Sequence, residues 1–221
     1  MPLLADKRLL IWLAWVNVAV HALALVLALG GLRPGSPLVV LPERQRYLAG
    51  YPLGWSLGWG SFMLCTFALV AFFAALANRL PEQAATAQLA VLLAAVGGGI
   101  DLFCDVLYIT VLPPLAAADP PARETFLAIE RVALAGGLIV ANGLYALGTL
   151  LLTLCLRGRP PVGRFVVWTG YAVFGFGMVL VVAGFVDEPR LAELGTGPTI
   201  GLFCLWTVMV ARSVDRSEDP S

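Results

Sequence analysis

Charge is scarce in this chain. Asp, Glu, Lys and Arg supply 13% of its 221 residues, whereas an ordinary soluble domain carries about 25%. Histidine and lysine each occur once, as His21 and Lys7. One imidazole cannot form the His-x-x-x-His or His-Glu-x-x-His spacing of a catalytic zinc site, and it leaves a haem without a second histidine. His21, Asp101, Asp105 and Glu130 remain as conceivable ligands for a divalent cation, but one histidine among carboxylates is a poor set. No lysine lies within an apolar run except Lys7 at its edge, which excludes a retinal-type Schiff base. The four cysteines, Cys65, Cys104, Cys155 and Cys204, form no Cys-x-x-Cys, so no disulfide framework is expected. Ser56, Ser61 and Thr66 have no histidine set near them to activate a nucleophile. Gly97-Gly98-Gly99 sits inside an apolar run and does not follow a strand, so it is no phosphate loop. The 14 basic residues cancel the 14 acidic ones, and no basic patch argues for nucleic acid. Neither a metal nor another cofactor is expected.

Apolar surface is abundant. Hydrophobic residues make up 60% of the chain, and the mean hydropathy is +0.88. A soluble fold of this length cannot hide so much apolar surface, whereas a bilayer removes the need to. A spanning helix needs about 20 apolar residues. Six stretches qualify, at about 9–30, 53–77, 86–112, 125–156, 165–186 and 194–214. Proline and glycine punctuate the gaps, as in Arg33-Pro34-Gly35-Ser36-Pro37 and Pro113-Pro114. Asp119 before Pro120 reads as an N-cap followed by a first-turn proline. Ten-residue alternation is absent, which argues against a membrane barrel. The first run exceeds the 7–15 residues of a signal-peptide core and reads as a retained helix. The expected fold is all-α: one polytopic membrane bundle of about six helices over 1–221.

Orientation follows arginine and lysine in the short loops. With the N-terminus inside, the inner face holds Lys7, Arg8, Arg79, Arg157, Arg159, Arg164, Arg212 and Arg216. The outer face holds Arg33, Arg44, Arg46, Arg123, Arg131 and Arg190. Eight against six favours both termini inside. Trp12, Trp15, Trp168 and Trp206 fall near one interface, and Trp55 and Trp59 near the other, as aromatic belts. The strong preference for arginine over lysine, with plentiful alanine, leucine, glycine and proline, points to a GC-rich bacterial genome and an inner membrane. The longest connection, about 31–52, reads either as a segment capping the bundle or as an ordered loop without a role. Gly54 with Gly58, and Gly197 with Gly201, are small-xxx-small pairs expected to pack within the chain.

The polar residues inside the spans form a pattern. On the third span Asp101, Asp105 and Tyr108 share one face at about 100° per residue. On the fourth, Arg131, Asn142, Tyr145, Thr149 and Thr153 fall within about 40° of a common line, with Glu130 roughly 100° away. On the first, Asn17 and His21 are four apart and share a face. At about 1.5 Å per residue, His21, Asp105 and Arg131 lie about 9–14 Å deep. Spans three and four are joined by a short loop and should be antiparallel neighbours. Arg131 is therefore expected to pair with Asp105, and Asp101 to meet Asn17 or Tyr145.

Such a column is either a lock between helices or a site. Buried ion pairs need not be functional, but ionisable groups at bilayer depth are functional by default. The leading reading is a binding or transport protein for a small molecule, an ion or protons, with its site between spans one, three and four. The second is an accessory subunit of a membrane complex. The third is a lipid-modifying enzyme, which needs a metal or nucleophile near His21. The partners considered are the lipid bilayer, a small-molecule, ion or lipid ligand, another membrane protein, and a second copy of the chain.

Overall fold

The computed structural model describes residues 7–118 and 122–215. The proposed Asp119–Pro120 cap lies outside the described residues. Six apolar helical stretches are long enough to cross a bilayer: Arg8–Gly35, Leu53–Ala77, Pro81–Ala117, Arg123–Leu156, Arg164–Phe185 and Pro189–Val214. Helix α1 (Lys7–Leu27) continues through a π-helical turn (Ala28–Leu32) into one 3-10 turn (Arg33–Gly35). Helix α2 (Leu41–Gly50) precedes α3 (Pro52–Ala77). Helix α4 (Ala84–Val106) passes through a π-helical turn (Leu107–Val111) into α5 (Leu112–Ala117). Helix α6 (Arg123–Ala135) passes through another (Gly136–Ala141) into α7 (Asn142–Leu156). Helices α8 (Arg164–Phe185) and α9 (Pro189–Asp215) complete the chain.

Several stretches run past the expected ends. Pro113-Pro114 reads in sequence as a break, but the helix continues through it, and the Tyr108 carbonyl, five residues before Pro113, accepts from Trp55 Nε1 at 2.6 Å instead of from a backbone N–H. Helix α8 ends in a left-handed residue, Asp187 (φ 53°). The Glu188 N–H then reaches back to the Ala183 carbonyl at 3.0 Å, a Schellman closure.

The long helices form a closed ring. Each packs on the next, α1 on α3, α3 on α4, α4 on α7, α7 on α8 and α8 on α9, and α9 returns to α1. One end of the ring is solid. Phe72, Phe73, Leu76, Leu152, Trp206 and Val210 are fully buried there. Lipid gives no hydrophobic drive for this packing, so close approach and shape must supply it. Gly170 shows the requirement: a Cβ there would run into Thr153 and Trp206. The outer surface carries Trp12, Trp15, Phe67, Phe103, Phe165 and Trp168 exposed. That apolar exterior suits a bilayer.

Two expectations change here. Trp206 and Trp55 are not interface belts but core residues, and Trp59 is half-buried. Gly197 and Gly201 meet nothing within 4 Å, so this pair does not pack inside the chain.

The loop at 31–52 contains a capping helix. Pro42 in the first turn and Glu43 beside it favour an α2 start there. Arg44 and Leu48, four apart, form its buried face. Helix α2 packs on α5 and α3, with Leu48 and Trp55 closing around Gly35, where a Cβ would not fit. Tyr47 donates to the Gly31 carbonyl at 2.7 Å, and burial raises its phenol above its ordinary value.

Candidate functional site: a cavity inside the ring

The end of the ring nearer α2 is hollow. A cavity of about 600 Å³ lies within it, inside the 300–1,000 Å³ range of small-molecule sites. Every spanning stretch contributes, for example His21, Thr66, Asp105, Tyr145, Gly177 and Phe203. Phe203, Leu69 and Val173 belong to both the lining and the solid core, so the cavity ends where that core begins.

The acidic face of α4 sits as its spacing requires. Asp101 accepts hydrogen bonds on Oδ2 from Thr66 Oγ1 (3.0 Å) and Tyr145 Oη (3.2 Å), linking α4 to α3 and α7. Gly97 and Gly98 allow this close approach: Cβ atoms on them would lie 3.1 Å from the Ala141 carbonyl and 3.0 Å from Thr66 Cγ2. Asp105, one turn on, is 2% exposed, and its Oδ2 is buried without a hydrogen-bond partner. Neither aspartate has a basic side chain within ion-pair distance among the described residues.

Tyr108 follows on the same face. Its ring stacks on Trp59 with centroids 3.9 Å apart and planes 1° from parallel. Trp55 meets both rings edge-on, and its Nε1 donates to the Tyr108 carbonyl at 2.6 Å. His21 Nδ1 lies 2.8 Å from the Asn17 carbonyl. A carbonyl only accepts, so Nδ1 carries the proton and leaves Nε2 for the cavity.

The expected Asp105–Arg131 pair does not form. The Arg131 side chain is 78% exposed and reaches Asp187 at 3.3 Å. The π-helical turn at Gly136–Ala141 is the reason. Such a turn adds one residue to the helical repeat, so the inward line drawn back from Asn142 and Tyr145 meets residue 130 instead of 131. Glu130 therefore lines the cavity, and its partner is Arg44 from α2 at 2.8 Å, both side chains buried. Asn142 closes the same turn, with Nδ2 donating to the Gly137 carbonyl at 2.9 Å.

Asn17 is placed differently from the expected column. It is fully buried and donates to the carbonyls of Leu13 (3.0 Å) and Ala68 (2.9 Å), which ties α1 to α3 away from the cavity wall. Asp101 accordingly meets Tyr145 and not Asn17. Sequence reading missed Arg44, Thr66, Trp55 and Trp59. The tryptophans had a signal: Trp55, Trp59 and Phe62 recur at helical spacing on one face.

Among the described residues no three His, Cys, Asp or Glu side chains gather as a metal-binding group. The four cysteines are free thiols. At the mouth, Arg33 and Glu193 meet at 3.5 Å, both exposed, bridging the end of the first stretch to α9.

Helix length, apolar composition and the ring define the class: this is a multi-pass helical membrane protein. No protein-family model matches the chain, and no curated protein or solved structure matches it either.

Proposed function

We propose that the protein binds or transports a small molecule and that the cavity is its site. The observation that carries this reading is Asp105, buried with an unpartnered oxygen on the wall of a cavity large enough for a ligand. An orphaned buried group costs about 1–3 kcal/mol, and a ligand in the cavity would supply the partner that Asp105 lacks. Placing an aspartate at bilayer depth costs about 3 kcal/mol more on insertion scales. Two further features support the reading. Three π-helical turns border the cavity, and such turns concentrate at functional sites. Arg33 and Glu193, both exposed and both on the cavity lining, meet in an ion pair worth about 0–1 kcal/mol. In this reading the whole chain acts as one helical domain, both termini face the cell interior, and the mouth faces outward. Asp101 and Asp105 recognise the ligand, while His21, Asn142, Tyr145, Tyr108 and Glu130 line its path.

One observation favours the accessory-subunit reading: Gly201, exposed on α9 and off the cavity lining, meets nothing within 4 Å, which leaves a small residue free for helix–helix association in lipid. Native mass spectrometry after gentle extraction separates the two. A reproducible small-molecule adduct, lost in Asp105→Asn, is the expected result. A chain that carries other subunits and no adduct sinks the ligand reading.

A further inference from the structure

Resting on the reading of the cavity as a ligand site, we infer that its ligand is an organic cation: an onium group, such as a quaternary ammonium, carried on an apolar body. Three independent features of the wall converge on this class.

The first is sign. Four carboxylates line the cavity: Asp101, Asp105, Glu130 and Glu193. Arg44 neutralises Glu130 and Arg33 neutralises Glu193. Hydroxyl donors hold Asp101, and Oδ2 of Asp105 is left with nothing. When Asp105 is ionised an anion entering here is repelled, and a neutral apolar ligand leaves that oxygen orphaned. A cation supplies the missing partner.

The second is the aromatic wall. Tyr108 lies three residues from Asp105 and stacks on Trp59, with Trp55 at the edge of both. Trp55, Trp59 and Tyr108 all lie on the cavity lining with Asp105, and aromatic rings near a carboxylate favour an alkylammonium group, because the ring quadrupole attracts a cation most strongly when water is excluded.

The third is size. An inorganic cation such as calcium wants six to eight oxygen ligands. Most of the surface that this 600 Å³ cavity exposes is apolar, with Leu25, Phe62, Leu134, Val173 and Ile200 on the wall. That surface suits an apolar body behind a charged head. Arg33 and Glu193, both exposed, lie on the same lining as Asp105.

The test compares benzyltrimethylammonium with its neutral isostere, neopentylbenzene, on the full chain in neutral detergent, read by tryptophan fluorescence. The cation should bind at least tenfold more tightly than the isostere. Asp105→Asn should remove that preference while leaving the isostere's affinity unchanged, and Asp105→Glu should restore it to within threefold. If Asp105→Asn fails to fold, the wild-type ratio decides alone. Equal binding of the two probes overturns the cationic class and leaves the ligand site standing. Binding of neither overturns both. A choline-headed lipid offers the same onium chemistry as a soluble amine, so the measurement is repeated in nanodiscs. Cation affinity at least tenfold weaker in phosphatidylcholine than in the uncharged lipid digalactosyldiacylglycerol names the lipid headgroup as the natural source. Equal affinity names a soluble cation.

Discussion

Arg44, on the short helix α2, reaches Glu130 on α6 at 2.8 Å, and both side chains are buried. Two sequence-distant segments are thereby held together at the hollow end of the ring, with the Arg44 guanidinium also 5.8 Å from the ring centroid of Phe126. Removing one partner of such a pair leaves an uncompensated charge, which costs about 3–5 kcal/mol. Arg44→Ala should therefore lower the unfolding temperature in detergent sharply. The double variant Arg44→Met with Glu130→Met should recover most of the loss. A double variant as unstable as the single one contradicts this.

Arg131 is the control. Its pair with Asp187 is exposed, and exposed pairs contribute about 0–1 kcal/mol. Arg131→Ala should leave thermal stability and ligand binding close to wild type. A collapse as large as that of Arg44→Ala would show that Arg131 faces inward after all.

These two arginines show where sequence reasoning reached and where it stopped. The face Asp101–Asp105–Tyr108 was legible because α4 is regular through Val106, so a 3.6-residue period holds across the two aspartates. The face of the fourth span was not, because the turn at Gly136–Ala141 shifts the register by one residue and nothing in an apolar sequence announces it. Arg44 sits among Glu43, Gln45 and Arg46 in what reads as an ordinary polar loop. Only the tertiary packing of α2 distinguishes it from its neighbours. Six apolar runs, by contrast, were readable directly, because spanning length is a one-dimensional property.

Gly97 allows α4 to approach α7 so that Tyr145 reaches Asp101. A Cβ there would lie 3.1 Å from both the Ala141 carbonyl and Leu144 Cβ. Gly97→Val should overpack this contact at about 1–3 kcal/mol and weaken ligand binding along with stability. Gly99 meets nothing within 4 Å, so Gly99→Val serves as the tolerated comparison. Equal effects at the two positions would argue against the close approach.

Orientation has its own measurement. In a background with the four cysteines replaced, Arg33→Cys and Asn78→Cys place thiols at exposed positions on opposite ends of the ring. With both termini inside, a membrane-impermeant maleimide added to intact cells should label the first and spare the second until the cells are opened. The reverse pattern inverts the proposed orientation and turns the mouth inward.

The most direct test of the central claim is a density map of the full chain in a nanodisc, prepared with saturating benzyltrimethylammonium and an antibody fragment as fiducial. The account predicts non-protein density between Asp105 and the Trp59–Tyr108 stack, in an open cavity. A ring closed by its own side chains, with Asp105 bonded to a neighbouring residue and no space beside it, would contradict the claim that this end of the molecule is a site.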